Sequence, residues 1–341
     1  MDPFRNLNQY KIDPLGEIRN AGIVTNGKVL WVKSAADSDY RTLGDTVGYS
    51  NYRDTLQGAI DATVTDRNDY ILVTATDGGT ARVLGTAVDV NKNRVHILGV
   101  GAKPVPQTHA GLTFQGYAVA SGNDTELMFV SGAGVEIGGI RVVGTSGTHA
   151  SGTVTATLRA GTASSGTPHD LYLHDMQIEN TNATAAGGTA VIFEVTGDVA
   201  GGIQGLLVER AWIGNTSFAA TPVVRLAGTA GPTRPVFRDT TIVTNAQATT
   251  DAFITGGTGA TGYVLFKDCE FINLNQGTLN ASVYSGAASN LNPVLFKNCG
   301  AVNVTQVGSG ANMFKTPVAS GTSTAIRDYG IAVGSASLIP V

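Results

Sequence analysis

Three aspartates, Asp175, Asp239 and Asp268, recur at matching places in short apolar motifs. Carboxylates gathered on one surface do two kinds of chemistry, as paired acids in glycoside hydrolysis or as calcium ligands beside a base in elimination. Here Arg210 and Asn298 occupy the same place in two other copies of the motif, so the acidic series is interrupted once and then ends. Asp and Asn both tolerate left-handed backbone angles and form Asx turns, and the series reads as turn chemistry. A neighbouring series, His174, Glu209, Arg238, Lys267 and Lys297, mixes signs and reads as a solvated face whose ion pairs contribute little. Asp37, Asp39 and Asp45 cluster without the spacing of a calcium loop and are expected in a surface loop. His96, His109, His149, His169 and His174 are scattered singly, without a partner at metal-ligand spacing. Gly99, Val100, Gly101, Ala102 and Lys103 are followed by no helical pattern, which excludes a phosphate loop. No catalytic, cofactor-binding or metal set emerges, and the expectation is a chain that is not an enzyme and carries no cofactor.

The elements that position these residues follow from composition and repetition. Among 341 residues there are 44 Gly, and only 14% are charged, against the usual quarter or so, which favours β structure with many tight turns. The net charge of −4 with no Lys/Arg cluster argues against nucleic acid, and the absence of a long apolar run argues against a membrane span. The start, Met1-Asp2-Pro3-Phe4-Arg5-Asn6, lacks the basic and apolar regions of a secretory signal, so synthesis in a cytoplasm, with the chain soluble, is expected.

An internal repeat is legible. Its first apolar anchors fall at 137, 173, 208, 237, 266 and 296, and the step shortens from 36 residues (137 to 173) to 30 (266 to 296). Each copy runs apolar, polar, Asp or Asn, apolar, variable, apolar, which is two short strands around a sharp bend. Successive copies then stack inward columns: Leu173, Val208, Phe237, Phe266, Phe296 and, after the bend, Ile178, Ile213, Ile242, Phe271, Ala301. A further strand series is expected through Phe193, Val224, Phe253, Val283 and Met313. Cys269 and Cys299 share one position in adjacent copies and read as buried, inert thiols. Asn180, Asn215, Asn273 and Asn303 read as a turn-stabilising ladder. The fold class expected is all-β, a right-handed single-stranded parallel β-helix.

A solenoid end needs a cap. The segment from Thr55 to Ala62 reads as a short capping helix, with Asp54 or Thr55 at its N-cap and Leu56, Ala59 and Ile60 turned to the core. Residues 1–27 read as an extended arm, 28–65 as lead-in strand and cap, 66–316 as the β-helix, and 317–341 as a C-terminal cap or subunit contact. Phe4, Leu7 and Tyr10 are the arm residues suited to docking.

The order of a Thr55-Leu56-Gln57 helix, an Ile71-Leu72-Val73 strand and the strand ending Gly99-Val100-Gly101 resembles the start of pectate-lyase-like β-helices. The resemblance covers roughly residues 50 to 315. That superfamily includes polysaccharide lyases, glycoside hydrolases, and tailspikes and other virion proteins of bacteriophages. The lead-in around Trp31 resembles phage structural proteins. The resemblance implies a virion structural protein, most concretely a homotrimeric capsid decoration or cement protein docked on a shell of major capsid protein. Alternatives are a tailspike or tail fibre protein that binds or cleaves host polysaccharide, and a stand-alone polysaccharide lyase or hydrolase. Itself and the shell are the expected partners, with no nucleic acid, no membrane, and a glycan left open.

Overall fold

The computed structural model describes residues 27–33, 48–76, 79, 81–84, 86–100, 112–115, 127–144, 156–161, 168–180, 191–196, 203–214, 222–227, 234–245, 252–256, 264–274, 281–286, 294–302, 304–309 and 332–334. The arm residues Phe4, Leu7 and Tyr10, the acidic group Asp37, Asp39 and Asp45, and His109, His149, Asn215, Asn303 and Met313 lie outside them.

Short apolar runs separated by turn residues form three parallel sheets of ten, nine and eight strands, here A, B and C. The chain visits the sheets in rotation, and each coil pairs with the one before it, which makes the protein an all-β, right-handed parallel β-helix. Parallel strands need their hydrogen-bond partners on separate passes of the chain, and a coil supplies them by climbing one strand spacing, about 4.8 Å, per turn.

Pairing in sheet A puts Ile137, Leu173, Val208, Phe237, Phe266 and Phe296 in one register column. Sheet B does the same for Val142, Ile178, Ile213, Ile242, Phe271 and Ala301. All of these side chains are buried. The rings of Phe237, Phe266 and Phe296 stack in sequence, with centroids 4.9 and 5.2 Å apart. In sheet C the expected series is corrected by one residue: Phe193 pairs with Val224, but Val224 pairs with Ile254 and Ile254 with Tyr284, not with Phe253 and Val283. Phe253 and Ile254 are both buried, as are Val283 and Tyr284, so hydrophobicity alone does not say which of the two continues the column.

The bend between sheets A and B is one residue in the left-handed region in every complete coil from Gly139 onward. Asp175 (φ 51°), Arg210 (47°), Asp239 (48°), Asp268 (54°) and Asn298 (52°) follow Gly139 (67°). Their N–H groups continue the ladder to the next coil, Asp175 to Glu209 O, Arg210 to Arg238 O, Asp239 to Lys267 O and Asp268 to Lys297 O. A second left-handed column precedes sheet A: Arg94, Gly134, Asp170, Gly205 and Arg234, each two residues before an outward residue of its strand. The sequence shows this second column only at Gly134, Asp170 and Gly205, since Arg94 and Arg234 look like ordinary surface cations.

Helix α1 (Leu56–Asp61) closes the first coil, with Leu56, Ala59 and Ile60 buried. Thr55, not Asp54, is its N-cap, and the Thr55 hydroxyl accepts from Gly58 N. Val88–Val90 is the terminal strand of sheet C, and Gln57 meets its open edge: Asp89 N donates to Gln57 Oε1 (2.8 Å) and Gln57 Nε2 donates to Asp89 O (3.3 Å). A side-chain amide thus stands in for the missing strand. After the helix, buried Asp69 accepts from Lys28 N, Val64 N and Arg67 Nε and Nη2, which ties the turn to the lead-in strand. Burial opposes its ionisation and is outweighed by the Arg67 contact and the two N–H groups, so Asp69 stays below the usual carboxylate range. At the C-terminal end, Ala332–Gly334 adds a last strand to sheet B beside Gly300–Val302.

Candidate functional site

Side chains alternate across a strand, so flanking each inward residue of sheet A are two that face out. One outward column reads Tyr70, His96, Glu136, Tyr172, Leu207, Val236, Leu265, Leu295. The other reads Leu72, Leu98, Gly138, His174, Glu209, Arg238, Lys267, Lys297. Ionisable groups from adjacent coils meet where the two columns are polar.

Glu136 is the centre. Its Oε2 lies 2.5 Å from His96 Nδ1 and its Oε1 3.1 Å from His174 Nε2, while His96 Nε2 lies 2.8 Å from Asn68 Oδ1. His174 stands two positions along the next coil and reaches Glu136 by lying over Gly138. A Cβ on Gly138 would sit 2.3 Å from His174 Cε1, so glycine there is what seats the ring. The other nitrogen, Nδ1, is 2.7 Å from Asp175 Oδ2. Asp175 also takes two hydrogen bonds of 2.8 Å from Arg210. Arg210 Nη1 is 2.9 Å from Glu209, which accepts from the Tyr172 hydroxyl at 2.7 Å and from Arg238. Tyr70 stacks on His96 at 4.2 Å and Tyr172 on His174 at 4.5 Å.

Burial opposes ionisation of Glu136, but the hydrogen bonds from His174 and His96 outweigh it and bring the carboxyl down to about 2. Burial likewise disfavours a cation at His174, and the bonds to Glu136 and Asp175 overcome it and raise the imidazole. Both His174 nitrogens face carboxylates, so both donate and the ring is an imidazolium. The Arg210 guanidinium lowers Asp175 against a smaller effect of burial. At Glu209 burial is outweighed by the Tyr172 and Arg238 donors, and the carboxyl is lowered. These are ionised groups locked to one another. A general acid or base needs a value near working pH and a free valence; Glu136, at about 2, lacks the first, and His174, with both ring nitrogens held by carboxylates, lacks the second.

The isolated histidines of the sequence are therefore corrected: His96 and His174 converge on Glu136 from the coils either side. The solvated-face reading is corrected at Glu209, which is buried among its donors. Extending the register below residue 137 would have revealed the cluster, because Ile97 pairs with Ile137 and so sets His96 beside Glu136. Asp239 and Asp268 lie along the same bend as Asp175 but take no part in the cluster. Cys269 and Cys299 are both buried at the bend into sheet B, where each thiol donates to the carbonyl two residues earlier, Lys267 and Lys297. Contact with Cys299 and burial push the Cys269 thiol up. Asn180 and Asn273 are buried and head the same outer end of sheet B as Thr244. No group of three or more His, Cys, Asp or Glu suited to a metal ion occurs among the described residues.

Other faces carry similar pairs across coils, Arg141 with Glu179 on sheet B and Arg225 with Glu194 on sheet C.

No protein-family model matches the sequence, and no curated protein matches it. Among solved structures the chain is similar to ybhc of Escherichia coli, at 12% identity over 80% of this chain and 71% of that one, with a TM-score of 0.52. It is also similar to pectin methylesterase PemA from Erwinia chrysanthemi, at 12% identity, 84% and 81% coverage and a TM-score of 0.49. ORF18 of Geobacillus virus E2 matches at 10% identity over 74% of this chain and 56% of that one, with a TM-score of 0.35. At such identities the fold is what is shared, and that fold is the parallel β-helix.

Proposed function

We propose that this chain is a structural protein of a bacteriophage virion, a homotrimeric capsid decoration or cement protein that docks on the major capsid protein shell. The observation that carries this reading is the pairing of outward carboxylates with cations on neighbouring coils. Glu136, Asp175, Glu179, Glu194 and Glu209 each hold a cation or imidazole across the ladder. Groups so engaged fasten one coil to the next and stiffen a rod. The reading is tested by counting copies on purified particles. Hundreds per particle support decoration, and a few per particle would replace it with a tailspike or tail fibre role. Docking is assigned to the N-terminal arm, so Phe4→Ala, Leu7→Ala and Tyr10→Ala together should release the protein from particles without changing its β-type circular dichroism. Retained binding by that triple variant would move docking to another surface.

A second reading, a grip on host polysaccharide, is favoured by one feature: Tyr70, His96, Tyr172 and His174 place two aromatic stacks beside ionised Glu136 on a single face. Titration of wild type and Tyr172→Ala with host surface polysaccharide separates the two readings. Saturable binding lost in the variant would favour the glycan.

A further inference from the structure

We infer that the outer face of sheet A, at the level of residues 207–297, is where copies of this chain meet, side by side with their solenoid axes parallel. The inference rests on the homotrimer reading and names its contact surface. Along this stretch the first outward column turns aliphatic, Leu207, Val236, Leu265 and Leu295 in unbroken register, each partly exposed. The same column is polar and internally bonded in the coils below. Four aliphatic side chains stacked at the strand spacing make a flat apolar strip, and the stems of Lys267 and Lys297 stand beside it in the neighbouring outward column.

The two edges of the face say what covers it. At one edge Arg234 is exposed, in the left-handed turn that leads into the strand, and it has no ion pair among the described residues. At the other edge Asp239 is 49% exposed, and its closest cation is Arg238 at 4.0 Å. Both belong to one coil, so they lie at one height. When parallel copies turn sheet A toward a common axis, the far edge of each meets the near edge of the next at equal height, and Asp239 stands opposite the neighbour's Arg234. Such a contact is head-to-tail and closes into a ring. It sets opposite charges at the rim of an apolar strip, the usual layout of a specific interface. No other occupant is needed to explain the coincidence of strip, acid and base on one level.

The chain itself supplies substitutions that its backbone accepts. Arg210 holds in the coil below the same left-handed place as Asp239, and Asp170 holds the same place as Arg234. Glu136 holds the outward place of Leu265. The experiment measures molar mass by sedimentation for the full chain, Leu265→Glu, Asp239→Arg, and Asp239→Arg combined with Arg234→Asp. Wild type should weigh three times the 35.0 kDa chain. Leu265→Glu and Asp239→Arg should fall to the single-chain mass with unchanged β-type circular dichroism, and the double swap should return to three. A trimer that survives both single substitutions would overturn this face and leave the homotrimer standing. A wild-type single chain at every concentration would overturn both, while the copy number on particles would still decide the virion role.

Discussion

Glu136 receives imidazole N–H groups from the coils on either side, and the signs of the resulting shifts fix how stability responds to pH. A raised imidazole stabilises the fold fully below its ordinary value of 6.5, and that contribution is lost as pH climbs through the higher folded value of His174. A lowered carboxyl stabilises above its ordinary value of 4.5, and the contribution of Glu136, roughly 3 kcal/mol from the linkage relation, is lost as pH falls toward about 2. Asp175 and Glu209 act in the same direction as Glu136. Denaturant midpoints should therefore be highest between these limits. His174→Gln should flatten the alkaline limb and lower stability near pH 5 by about 1–3 kcal/mol, the cost of removing one partner of a buried charged hydrogen bond. An alkaline limb that survives in the variant would assign it elsewhere. Gly138→Ala should push the ring off its seat, and the His174 titration followed by NMR should drop back toward 6.5. The cluster was hidden in the sequence because its members are 40 and 38 residues apart (96 to 136, 136 to 174), where the coil is longest and the repeat weakest.

At the scale of elements, helix α1 closes the coil by burying three side chains and by lending the Gln57 amide to the open strand edge at Asp89. Gln57→Ala should leave that N–H and C=O without their partners and cost about 1–3 kcal/mol, read as a shifted urea midpoint. Gln57→Glu should keep the acceptor for Asp89 N but lose the donor and set a carboxylate against Asp61, so at neutral pH it should cost at least as much as Gln57→Ala. In the aromatic column, Phe266 touches rings above and below, so Phe266→Ala should cost about 3–5 kcal/mol by opening a cavity between Phe237 and Phe296. The helix and the columns of sheets A and B were legible because single apolar residues at fixed offsets from an Asp or Asn mark them. Sheet C was less so: Phe253-Ile254 and Val283-Tyr284 are adjacent buried pairs, and only the hydrogen-bonded register shows that Ile254 and Tyr284 carry the pairing forward. The role of Gln57 leaves no mark in the sequence, since it depends on which strand lies under the helix.

For the whole molecule, contacts run chiefly between neighbouring coils, so stability behaves as a chain of nearest-neighbour terms. Damage at one coil should then loosen its neighbours most. Hydrogen exchange in Phe266→Ala should rise most in 236–238 and 294–297 and least near α1; a uniform rise would show a single all-or-none unit. The distances between successive columns carry a further consequence. From residue 137 onward the step from sheet A to sheet B is five residues in each coil, Ile137 to Val142, Leu173 to Ile178, Val208 to Ile213, Phe237 to Ile242, Phe266 to Phe271 and Phe296 to Ala301, whereas in the coil before, it is 17 (Ile97 to Phe114). From sheet B to sheet C it varies over the same coils, from 16 residues (Val142 to Leu158) through 11 (Ile213 to Val224) to 7 (Ala301 to Gly308). From residue 137 onward, change in coil length is thus confined to two corners, and the third keeps time. A peptide tag or a foreign epitope placed after residue 144 or 214 would lengthen a corner that already differs from coil to coil. One residue added beside Asp239 would turn every later side chain of its strand to the wrong face.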